Sequence, residues 1–130
     1  MHPLHFLNRL EHEHVVDAIR KAEAKTTGQI RVVVSRRKIA DPLDAARRQF
    51  AKEELHRSAH RNAVLIFVAP RSHTFAVVGD QAIHDRVGDA AWRGIADTMA
   101  GHFKAGQFMT GVLAGIERTG ELLADHFPKG

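Results

Sequence analysis

Asp80 and the adjacent pair Arg61-Asn62 are the residue types best suited to chemistry in this chain. Asp80 follows the run Thr74-Phe75-Ala76-Val77-Val78 and a glycine. Arg61-Asn62 immediately precedes the run Ala63-Val64-Leu65-Ile66-Phe67-Val68-Ala69. If these two runs pair antiparallel, the three polar side chains meet at one end of a sheet, near Thr27. A carboxylate and an amide in that position would hold a hydrated divalent cation, or orient a water for attack on a phosphoester whose charge Arg61 or Arg71 neutralises. The same residues have a structural alternative, in which Asp80 pairs with Arg61 or caps the turn that follows. One carboxylate is sparse ligation for Ca²⁺, which takes about six to eight oxygens.

A second cluster is basic. Ser35, Arg36, Arg37 and Lys38 leave an alternating apolar segment, and Arg71 follows the apolar run 63–69. At the C-terminal ends of parallel strands, beside a helix opened by Asp41-Pro42, they would form an anion site for phosphate or carboxylate. A solvated basic loop is the alternative. Ten histidines raise the question of zinc, and His56 and His60 have the spacing that places two imidazoles on one helical face. No glutamate directly follows His56, and Ser58 weakens the helix that would carry the pair, so capping or solvated histidines fit better. With no cysteine, disulfides and thiol chemistry are excluded. The chain has no phosphate-binding glycine loop, dinucleotide fingerprint or nucleophile elbow.

These side chains must be positioned by a small domain. At 130 residues the chain buries roughly two-thirds of its unfolded surface, enough for one core. The run 63–69 is apolar on both alternating faces, which marks the central strand of a covered sheet. Before it, Leu7, Leu10, Val15, Ala18, Ile19 and Ala22 predict a helix over about 8–25, stopped by Thr26-Thr27-Gly28. A period-two strand follows over 29–35. A helix capped by Asp41 then runs to about His56, with Leu43, Ala46, Phe50 and Leu55 as its buried stripe.

The link Pro70-Arg71-Ser72-His73 is too short for a crossover, so 74–78 returns antiparallel. Residues 81–87 form a loop or short helical turn. One helix follows from Gly88-Asp89 to about Phe103 and another from Gln107 to about Asp125, where Gly111 and Gly115 allow close helix approach. The expected fold is α/β: a three-layer αβα sandwich with a small mixed sheet, in the order α-β-α-β-β-α-α, as a single domain over 1–130. If the returning strand is exposed at the sheet edge, it offers a route to a homodimer.

The net charge of +4 permits anionic partners, but 6% aromatic content and no tyrosine leave no platform for stacking bases, which argues against nucleic acid. No stretch reaches the ~20 apolar residues of a membrane span, and no secretory leader is evident, so a cytoplasmic location is the expectation.

Read together, several stretches resemble the TPM domain family, a module also found in a thylakoid-lumen phosphatase and in bacterial membrane-anchored proteins. They are Thr26-Thr27-Gly28-Gln29-Ile30-Arg31-Val32, Arg61-Asn62-Ala63-Val64-Leu65-Ile66, Val78-Gly79-Asp80-Gln81-Ala82-Ile83 with Val87-Gly88, Trp92, and Phe103-Lys104-Ala105-Gly106-Gln107-Phe108 with Gly111 and Gly115. The resemblance implies an αβα sandwich. It also implies two activities described among members, acid phosphatase action and calcium or magnesium binding, which would fall on Asp80 and Asn62. Arg61 stands where many relatives carry an acidic residue, and the export signal and membrane helix of many relatives are not seen. The expectation is therefore a binding or interaction module, with a membrane-associated relative as a protein partner. A metal-assisted phosphatase acting on phosphoesters is the alternative.

Overall fold

The computed structural model describes residues 9–129. Seven principal elements follow one another: α1 (Arg9–Glu23), β1 (Gln29–Val34), α2 (Pro42–Lys52), β2 (Ala63–Ala69), β3 (Thr74–Gly79), α3 (Gln81–Lys104) and α4 (Phe108–His126), with short 3₁₀ turns at Leu55–Arg57 and Pro70–Ser72. The strands form one mixed sheet in the order β1-β2-β3, parallel between β1 and β2 and antiparallel between β2 and β3. Among the described residues, no helix is long and apolar enough to cross a membrane.

The middle strand explains the layering. All seven residues of β2 are buried, as an uninterrupted apolar run requires when both faces are covered. Leu65 and Phe67 project to one face, where α2 supplies Ala46 and Phe50 and the following turn supplies Leu55. Val64, Ile66 and Val68 project to the other, against Val15, Ile95, Met99, Val112, Ile116 and Leu123 from α1, α3 and α4. One helix on one face and three on the other make the αβα sandwich.

Local chemistry sets the element ends. The side chain of Asp41 accepts from the backbone N–H of Asp44 at 3.1 Å, and Pro42 occupies the first turn, so α2 starts where the sequence predicts. It ends earlier than expected, at Lys52. Glu54 is left-handed (φ 54°), which turns the chain so that Leu55 drops into the core from a 3₁₀ turn. Leu43, expected in the buried stripe, is instead 42% exposed. Since His56 lies in that turn and His60 beyond it, both exposed, the helical spacing that would have paired them does not exist.

The segment 81–87, read as a loop or short turn, is helical, and α3 is two helical stretches joined at Gly88. There φ is 72° and ψ 178°, a conformation essentially confined to glycine. At the other end of α3, α4 packs back closely. A Cβ added at Gly115 would sit 2.6 Å from Met99 Sδ, so these helices meet across a glycine that nothing larger could replace without movement.

Candidate functional site

At the N-terminal end of β2, Asn62 and Asp80 are both buried polar residues, at 1% and 5% exposure. Burial of such groups is tolerable only with hydrogen-bond partners. The register supplies them. Val64 opposes Gly79, and Asp80 continues the pairing by donating its N–H to Ala63 O at 2.9 Å. Arg61 therefore lies beside Asp80, and its guanidinium donates in a fork, from Nε to Oδ2 at 2.9 Å and from Nη2 to Oδ1 at 3.0 Å. Oδ1 also accepts from the Gln81 N–H at 2.7 Å, which makes Asp80 the N-cap of α3.

Arg61 itself is left-handed (φ 51°), a conformation costly for a side chain of its size. Its N–H donates to Ser58 O at 3.2 Å and its carbonyl accepts from Ala82 N–H at 3.0 Å, so the surroundings hold it there. Hydrogen bonding to Asp80, and then the charge of Asp80, keep its proton bound even more firmly than usual.

Asn62 Nδ2 donates to Thr27 Oγ1 at 3.1 Å, which ties the start of β2 to the start of β1. Next to it, the buried hydroxyl of Thr26 accepts from Gly28 N–H at 3.0 Å and lies 2.5 Å from Phe127 O and 3.2 Å from Leu123 O. Its single proton serves two carbonyls at the end of α4, and an isolated antiparallel bridge between Thr26 and Pro128 completes the clasp. The structure thus brings together Asp80, Asn62, Arg61 and Thr27. It does not add Asp85, which is exposed, or Asp89, whose Oδ1 faces His84 Nε2 at 3.8 Å. Among the described residues, no group of three or more histidines and carboxylates is placed to hold a metal ion.

The basic residues gather at the opposite end. Ser35 donates its N–H to Val68 O at 2.8 Å and accepts at Oγ from Arg37 N–H at 3.2 Å, which starts the loop before α2. Ile39 N–H donates to Ser72 Oγ at 2.7 Å, fastening this loop to the 3₁₀ turn that carries Arg71. Arg36, Arg37, Lys38 and Arg71 are all exposed. Among the described residues none of the four pairs with a carboxylate, whereas Lys21, Arg31, Arg48, Arg57 and Arg61 all do.

Two residues that matter to the Asp80 end, Trp92 and His84, were given no role there by sequence reasoning, although Trp92 stands among the stretches that carry the resemblance. Trp92 packs its ring against Gly79, and a Cβ there would lie 2.2 Å from Trp92 Cζ2. The indole Nε1–H donates to His84 Nδ1 at 2.9 Å, across the break at Gly88. The signal was the glycine itself, since a strand-ending Gly79 before a buried Asp80 marks a close approach.

A family model described as the TPM domain matches residues 2–122. Among solved structures, the chain is similar to the BA42 protein of the psychrophilic bacterium Bizionia argentinensis, with 38% identity, a TM-score of 0.87, and coverage of 95% of this chain and 85% of that one. The N-terminal domain of the cg2496 protein from Corynebacterium glutamicum shares the fold at 15% identity and a TM-score of 0.71, covering 91% and 74% of the two chains. An N-terminal domain from P. gingivalis does so at 17% and 0.70, covering 93% and 78%. None of the curated proteins matches significantly. Since the family model spans nearly the whole chain and the fold agrees with that expected of it, this chain belongs to the TPM domain family.

Proposed function

We propose that this chain is a TPM-type binding module that recognises an acidic patch on a protein partner through Arg36, Arg37, Lys38 and Arg71. The observation that carries this reading is the contrast between the two ends of the sheet. At one end, the Asp80 carboxylate accepts three hydrogen bonds, from Arg61 and the start of α3. At the other, four exposed cations form no ion pair among the described residues. A guanidinium inserted between a lone carboxylate and solvent occupies the place a Ca²⁺ or Mg²⁺ would need, so the donors at Asp80 and Asn62 do not fit either ion. The unpaired cations gain charge-assisted hydrogen bonds when a carboxylate or phosphate approaches.

The test is calorimetric titration with a short glutamate-rich peptide at two salt concentrations. Wild type binds, more weakly at high salt. A variant with Arg36→Glu and Arg37→Glu loses about tenfold or more in affinity with an unchanged melting midpoint, as expected for exposed residues. Equal binding by wild type and variant contradicts the reading. Preferential binding of an oligonucleotide would transfer the same surface to nucleic acid.

The name of the family model carries the word phosphatase, and the left-handed Arg61 beside a buried Asp80 resembles strain stored at a reactive site. That second reading requires Arg61 to leave Asp80 on substrate binding. The Asp80 substitutions described in the Discussion decide it.

A further inference from the structure

The C-terminal end of β2 holds a cavity of about 480 Å³, between the turn into β3 and the turn joining α3 to α4. That volume is within the range of small-ligand sites, about 300–1,000 Å³. Its floor is the buried pair Val68 and Ala69, its wall is Phe103 and Phe108, and its rim is the exposed His73 and Lys104. The two rings stack with centroids 5.5 Å apart, and Phe75 meets Phe103 edge-on at 5.1 Å, so the wall is pre-formed.

Two observations give the occupant its chemistry. The lining is mainly apolar, which calls for an apolar body. Its only titratable residues are His73 and Lys104, and neither forms an ion pair among the described residues, so the charge the rim complements is negative. His73 adds a third observation, because it is held left-handed at φ 53° on the rim.

We propose that this cavity binds a small monocarboxylate with a compact apolar body. The hydrocarbon lies against Val68, Phe103 and Phe108, and the carboxylate faces Lys104 and His73 on the rim. The cavity shares the end of the sheet with the Arg36 and Arg37 loop but uses none of its residues, and it stands without that reading.

The experiment is a two-dimensional amide NMR titration of the full chain with octanoate. Octylammonium serves as the same body with the opposite charge, and acetate as the anion without the body. Octanoate is expected to saturate, shifting Thr74, Phe103, Gly106 and Phe108, whereas octylammonium and acetate do not. Lys104→Met weakens octanoate about tenfold. Equal binding of octylammonium, no saturation with octanoate, or wild-type affinity in Lys104→Met would overturn the proposal.

Discussion

Asp80→Ala is expected to destabilise the fold by about 2–3 kcal/mol, read as a fall in urea midpoint and about 10 °C in melting temperature. Loss of an N-cap costs about 1 kcal/mol. Hydrogen bonds to a charged group add roughly 1.5–3 kcal/mol where both partners are buried. Here the Asp80 side chain is 5% exposed but that of Arg61 is 48% exposed, so the guanidinium recovers water and the second contribution falls toward its lower limit. Asp80→Asn keeps an acceptor for the Gln81 N–H but loses the charged fork, and is expected to cost only about 1 kcal/mol. The same proteins test catalysis. A structural Asp80 predicts no divalent-dependent hydrolysis of an aryl phosphate by wild type. Robust turnover in wild type that vanishes in Asp80→Asn, with the melting midpoint kept, would assign the residue to chemistry instead.

Gly79→Ala is expected to destabilise by about 3 kcal/mol, at the upper end of the usual cost of overpacking. The added methyl would meet Trp92 Cζ2 at 2.2 Å and Cη2 at 2.5 Å, with Ile83 Cγ2 at 3.2 Å behind them. Swinging the ring aside would also break the hydrogen bond from its Nε1–H to His84. Since Trp92 is the one tryptophan, its fluorescence reports the displacement directly. The paired change Gly79→Ala with Trp92→Leu should be less destabilised than the sum of its parts, and a double-mutant cycle by urea unfolding measures the difference. Strict additivity would mean that the strand end, and not the indole, excludes the methyl.

What could be read from the sequence were features that depend on neighbours along the chain. The uninterrupted apolar run 63–69 identified the buried central strand. The pair Asp41-Pro42 located the start of α2, and a four-residue link forced β3 to return antiparallel. That return placed Asp80 beside Arg61 and Asn62, with capping and ion pairing as one of the alternatives weighed. The features missed depend on contacts between distant segments. Leu43 has the right spacing for the core yet lies beyond the covered part of α2, and α2 stops at Lys52 because Leu55 is buried by a left-handed turn at Glu54. The left-handed Arg61 is held by Ser58, Asp80 and Ala82, which no local propensity announces. The cavity near Thr74 is assembled from β2, β3 and the α3–α4 turn, and none of its residues is exceptional in its own segment.

An amide NMR titration of the full chain with inorganic phosphate, followed by Mg²⁺ and Ca²⁺, is the most direct comparison of the two ends of the sheet. Shifts that saturate at Arg36, Arg37, Lys38 and Arg71, with Arg61, Asn62 and Asp80 unmoved by either cation, are the predicted result. Saturating shifts at Arg61, Asn62 and Asp80 that need Mg²⁺ or Ca²⁺, with the basic end silent, would contradict it.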